Sequence, residues 1–173
     1  MRSSTRRLRN MIVFAMLGSL ILASQITLSQ ILSIQLVMFL IATVTVAYRT
    51  RALIPIYVYI LLYCLYYGFT PWNLVYFYIY IPLWGLFMLV GKIKSAKVKV
   101  PVSMITCGLF GLSFGTLYAP FWAFMMDYNL KQTLAWITYG FPVDIGYAIS
   151  NVAAGVMIVP LSELLIKLDR SNF

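Results

Sequence analysis

The chain has 173 residues, of which 62% are apolar, 16% aromatic and only 10% charged; its mean hydropathy is +0.91 and its formal net charge +9. A water-soluble domain carries roughly a quarter of its residues as charges, so this composition argues against water as the main solvent and for an integral membrane protein. With no histidine, four acidic residues and neither a Gly-x-Ser-x-Gly turn nor paired carboxylates, the chain offers little for acid–base, nucleophilic or metal catalysis, and an enzyme is not expected.

A membrane-crossing helix takes about 20 mostly apolar residues. Runs between charges and breakers place six of them, at about 10–28, 32–48, 52–69, 73–91, 101–126 and 142–167. The expected fold is therefore an all-α integral membrane protein, a six-transmembrane-helix bundle forming one domain over 1–173. The runs are continuous, whereas a β-barrel would alternate with period two.

The first span follows Arg6, Arg7 and Arg9 and reads as a retained signal-anchor helix, because Leu22-Ala23-Ser24-Gln25 lacks an A-x-A cleavage pattern. On it Ala15, Ser19 and Ala23 recur every four residues with Gly18 beside them, a smooth stripe that another backbone can approach closely. The stripe is either a docking face for a partner or a surface for internal packing. Gln35, Arg49, Arg51 and Pro55 shorten the second and third spans, either of which can be tilted or partly re-entrant, so a five-span reading stays open.

Tyr59, Tyr63 and Tyr67 share a face of the third span, and Trp72, Tyr76, Tyr80 and Trp84 a face of the fourth. A membrane-interface belt with ordinary packing accounts for Tyr57, Tyr78 and Trp84. The outer group Tyr63, Tyr66, Tyr67, Trp72 and Asn73 suits the wall of a pocket for a flat, polar-edged ligand equally well. The fourth span ends in Gly85-Leu-Phe-Met-Leu-Val-Gly91-Lys92-Ile93. That is not a phosphate loop: it has one residue too many between its glycines, and Ile93 stands where Ser or Thr must hold magnesium. Any ATP consumed belongs to another chain.

In the fifth span Gly108, Gly111 and Gly115 point to internal packing, and Cys64 and Cys107, inside apolar runs without C-x-x-C spacing, read as core residues. The sixth opens on Gly140-Phe141-Pro142, with Pro142 in its first turn. Asp144 then sits near its outer entrance, with Tyr147 and Asn151 on the same face. Asp144 either caps this helix or joins Tyr147 and Asn151 in presenting polar atoms to a ligand or to the fifth span.

Charge placement supplies an orientation, since cytoplasmic loops collect Lys and Arg. With both termini cytoplasmic, Arg2, Arg6, Arg7, Arg9, Arg49, Arg51, Lys92, Lys94, Lys97, Lys99, Lys167 and Arg170 all fall inside, which is twelve of the thirteen basic residues, and only Lys131 falls outside. Short juxtamembrane basic runs of this kind suit topology and anionic lipid, and no nucleic-acid partner is expected.

The runs Gly111-Leu-Ser-Phe-Gly-Thr-Leu-Tyr-Ala-Pro-Phe-Trp122-Ala123 and Ala135-Trp-Ile-Thr-Tyr-Gly-Phe-Pro-Val-Asp-Ile-Gly-Tyr-Ala-Ile-Ser-Asn151 resemble the C-terminal half of S-components of energy-coupling factor (ECF) transporters. The stripe Ala15, Ser19, Ala23 resembles the A-x-x-x-A motif by which those subunits dock, and the stretch from Pro55 to Trp72 is also similar. Where related sequences tend to read Pro-Phe-Asp-x-x-His, this chain has Val143 and Tyr147. The resemblance implies a vitamin-binding subunit of a bacterial plasma membrane that captures its ligand on the outer side. A transmembrane coupling protein and two cytoplasmic ATPases supply the energy, and no cofactor resides in this chain. It also implies docking through Ala15, Gly18, Ser19 and Ala23, and substrate binding through Tyr63, Tyr67, Trp72, Asn73, Tyr76, Trp122, Asp144, Tyr147 and Asn151. Because Lys131 is the only outer base, a neutral or weakly cationic heterocycle is favoured, such as a pyrimidine, pyridoxine or a thiamin-like compound. A self-sufficient secondary transporter, which would usually show an internal repeat, and a membrane scaffold needing only packing stripes are the competing classes.

Overall fold

A computed structural model describes residues 2–28 and 34–171, with side chains described for 8–28 and 34–169; the expected start of the second span at 32–33 and the side chains of Arg2, Arg6, Arg7 and Arg170 lie outside this set. The helices are α1 (Arg2–Leu28), α2 (Val37–Tyr48), α3 (Leu53–Tyr67), α4 (Pro71–Leu74), α5 (Tyr76–Val90), α6 (Ala96–Leu112), α7 (Phe114–Met126), α8 (Leu130–Gly155) and α9 (Ile158–Ser171), with a 3-10 turn over Arg49–Ala52. Among the described residues there is no strand. Four stretches are long and apolar enough to cross a membrane, Leu8–Leu28, Val37–Tyr67, Pro71–Val90 and Ala96–Met126; α8 and α9, bent by 53° against each other, make a fifth if taken together.

Val37–Tyr67 is not one straight rod. At Arg49 the backbone turns to φ 57 and ψ −126, a left-handed excursion rare for a residue with a side chain, and the contacts on either side show the chain doubling back. Ascending α1, Phe14 meets Tyr48 edge-on at 5.1 Å, Gly18 packs against Pro55 and Val58, and Gln25 accepts a hydrogen bond from Tyr59. So α1 and α3 climb together. Descending α5, Tyr76 meets Tyr63, Tyr80 meets Tyr59, and the Trp84 indole donates to the Arg49 carbonyl.

The second half is a packed pair. α6 against α8 is the most extensive helix contact in the molecule, and glycine makes it possible. A Cβ at Gly108 would collide with Val152, one at Gly111 would stand 3.0 Å from the Tyr147 and Ala148 backbone, and one at Gly115 would stand 2.5 Å from Asp144 Oδ2. Gly155 returns the contact against Met104. The two helices therefore run antiparallel at close backbone approach, as small residues permit.

These directions sort the charges. Arg9 pairs with Asp169 at 3.7 Å, α2 packs on α9, and the Arg49 guanidinium lies over Gly91. Arg9, Arg49, Arg51, the four lysines between 92 and 99, and Lys167 thus gather at one end of the bundle, while Lys131 lies at the other, in the first turn of α8.

Three boundaries differ from the sequence reading. α1 begins at Arg2, the basic residues continuing the helix, and the fifth span begins at Ala96 and is jointed at Ser113. The largest difference is α8, which begins at Leu130 and not at 142. Asn129 and Gln132 form a reciprocal capping box, each side chain accepting from the other's backbone N–H at 3.0 and 2.9 Å. That start signal outranks the proline: Pro142 lies inside the helix, and Asp144 is therefore mid-helix and does not cap α8.

Candidate functional site

At the end of the bundle opposite the basic cluster, α3, α4, α5, α7 and α8 bring aromatic rings together in two groups. The first lies on α3 and α5, where Tyr63 contacts Tyr67 at 4.7 Å and Tyr76 at 4.9 Å, and Tyr76 stacks on Tyr80 at 5.6 Å. The second surrounds Tyr118 on α7: Trp72 lies 4.6 Å away, Trp136 stacks at 5.9 Å, and Trp122 meets Trp72 edge-on at 4.9 Å. The Tyr118 hydroxyl donates to the Trp72 carbonyl at 2.6 Å, tying α4 onto α7. Tyr147 joins this group through Phe114 and lies within electrostatic reach of Tyr63 and Tyr80 in the other. The groups thus face each other across the interior, with Tyr67 and Trp72 partly open to the outside.

Local sequence explains the turn between α3 and α4. Gly68 ends α3 at φ 90, a value that glycine adopts without strain, and Pro71 begins α4 in its first turn. Asn73 is buried and donates to the Gly68 carbonyl at 2.6 Å, closing the turn. Its amide is spent on the fold. Asn151 is likewise fully buried and donates to the Gln35 and Tyr147 carbonyls at 2.9 and 2.8 Å, fastening α8 to the entry of α2.

Asp144, only 4% exposed, accepts from the Gly115 backbone N–H at 3.1 Å. Gly115 lies in the first turn of α7, after the joint at Ser113, so the carboxylate serves an orphan N–H and the positive dipole end of that helix. Of the two roles open to Asp144 in the sequence, the geometry selects the bond to the fifth span. Tyr57, Tyr78 and Trp84, expected in an interface belt with ordinary packing, donate to the Phe77, Leu117 and Arg49 carbonyls and stitch helices together.

The nine expected binding residues therefore divide. Tyr63, Tyr67, Trp72, Tyr76, Trp122 and Tyr147 share the aromatic interior, while Asn73, Asp144 and Asn151 border it with their polar groups engaged by backbone. Two interior groups lie outside the set expected from the sequence. The Gln35 amide oxygen is buried without a hydrogen-bond partner, and the Tyr80 hydroxyl, also buried, has only a poorly aligned contact with the Tyr59 hydroxyl. A lone amide and a phenol inside apolar runs were the available signals. Cys64 and Cys107 are free and buried.

On α1 the small residues face two ways. Ala15, Ser19 and Ala23 are exposed, whereas Gly18 is buried, where a Cβ would stand 2.6 Å from Val58 Cγ1. Gly18, expected in the docking face, packs internally because α3 approaches too closely for any side chain there.

No protein family, characterised protein or solved structure matches this chain.

Proposed function

We propose that the chain is the substrate-binding subunit of an ECF-type importer. It crosses a bacterial plasma membrane six times with both termini cytoplasmic, holds a small vitamin-like heterocycle near the outer face, and relies on a coupling protein and two ATPases for energy. The helix directions support six passes: α1, α3 and α6–α7 run one way, α2, α4–α5 and α8–α9 the other. Gathering of basic residues at the end that holds Arg9 and Asp169 supports the orientation. The 12 residues of α2 and 15 of α3 are short for a perpendicular crossing of about 20, which fits short or tilted passes.

The observation that carries the assignment is the outward stripe. Ala15, Ser19 and Ala23 lie on the exposed side of α1 among large apolar neighbours such as Met11, Met16 and Leu20. Lipid chains gain nothing from small residues, whereas a second helix gains close backbone approach. A partner helix is thus the natural occupant, and the aromatic interior at the opposite end leaves ligand capture to this chain. The test is mass spectrometry of small molecules that copurify with the solubilised protein. A vitamin-sized heterocycle in near-stoichiometric amount is expected; repeated isolation with no small molecule bound would contradict the binding role.

A further inference from the structure

Gln35 and Tyr80 are 7% and 1% exposed; the amide oxygen of the first has no hydrogen-bond partner, and the hydroxyl of the second has only a poorly aligned contact with the Tyr59 hydroxyl. Leaving such a group unsatisfied is costly, and buried polar groups in native proteins are nearly always paired. The two belong to one region. Gln35 stands at the entry to α2, which packs on both α5 and α8; Asn151 holds its carbonyl and that of Tyr147 together, and Tyr147 lies within electrostatic reach of Tyr80. Nothing stands within 4 Å of where a Cβ on Gly140 would be, between Trp136 and Asp144.

The chemistry of the unpaired atoms defines what they take. An amide oxygen accepts only, and a phenol both donates and accepts, so a ligand must bring a donor to Gln35. It must also be flat, to lie among tyrosine faces, and uncharged, because Asp144 is already engaged by Gly115 and, among the described residues, the ion pair Arg9–Asp169 lies at the far end. We propose that Gln35 and Tyr80 are ligand contacts and that the ligand is a neutral planar heterocycle whose exocyclic amine or ring N–H donates to the Gln35 oxygen. This deepens the importer reading and rests on its ligand site, not on its partners.

The isosteric probes 4-aminopyrimidine and 4-methylpyrimidine differ only in the donor. Titrated into the purified protein in detergent or nanodiscs, the amine is expected to bind at least about tenfold more tightly, a difference of about 1.4 kcal/mol. Gln35→Leu and Tyr80→Phe should each reduce that ratio several-fold, and Gln35→Leu should also raise the Tm of the ligand-free protein, since it removes an unsatisfied buried group. A purely structural role predicts a lower Tm and an unchanged ratio. Equal binding of the two probes, no binding of the amine at millimolar concentration, or a lowered Tm in Gln35→Leu would overturn the proposal. Amine-selective binding without association with a coupling protein would preserve this site and sink the importer reading; association without amine selectivity would do the reverse.

Discussion

Asp144 shows how a residue's meaning depends on its neighbour. An acid at this depth is costly unless something holds it, and what holds it is the Gly115 N–H at 3.1 Å, the exposed start of α7. Asparagine keeps an acceptor in the same place and leucine does not. Asp144→Asn is therefore expected to keep most of the stability, and Asp144→Leu to lose about 1–3 kcal/mol by orphaning that N–H; thermal unfolding of the purified variants in one detergent reads the difference. Equal loss in both would mean that the negative charge, and not the hydrogen bond, is what the fold uses. Gly115 is bound to the same logic, because any side chain there would run into the carboxylate.

At the scale of elements, α1 presents two faces that a single spacing rule merges. Gly18→Leu is expected to destabilise the isolated protein by about 1–3 kcal/mol, the cost of overpacking, because α3 fills the space. Ala15→Leu and Ala23→Leu, on the exposed side, are expected to leave its Tm unchanged. Paired unfolding curves check this, and a large loss in Ala15→Leu would place that residue in internal packing. The sequence made the apolar runs, the basic reversal around Arg49 and the glycine face of α6–α7 legible, because each is a pattern of composition or spacing. It did not reveal which side of α1 Gly18 occupies, since a four-residue repeat carries no information about the depth of a neighbour. The start of α8 was written in Asn129-x-x-Gln132, but Pro142 is the louder signal and it misled: a proline tolerated inside a long helix looks the same as one that begins a helix. In the candidate site, the rings were legible as helix faces. The engagement of Asn73, Asp144 and Asn151 by backbone was not, because those bonds join residues up to 116 positions apart.

For the whole molecule, the helix directions and the gathered charges make a statement about sidedness that labelling can test. With Cys64 and Cys107 replaced by alanine, Lys131→Cys is expected to react with an impermeant maleimide added to intact cells, and Lys94→Cys only after the membrane is opened; the opposite pattern would invert the topology. The bundle keeps its aromatic interior at the Lys131 end and an exposed small-residue stripe along α1. On the proposed reading, the first binds ligand and the second meets the protein that moves it. The most direct test is coexpression of the tagged chain with the coupling protein and two ATPases of an ECF module from the same cell, followed by copurification. The account predicts a complex that forms with the wild-type chain and is lost in Ala15→Leu and Ala23→Leu. Failure of the wild-type chain to associate, or association that both variants retain, would contradict it.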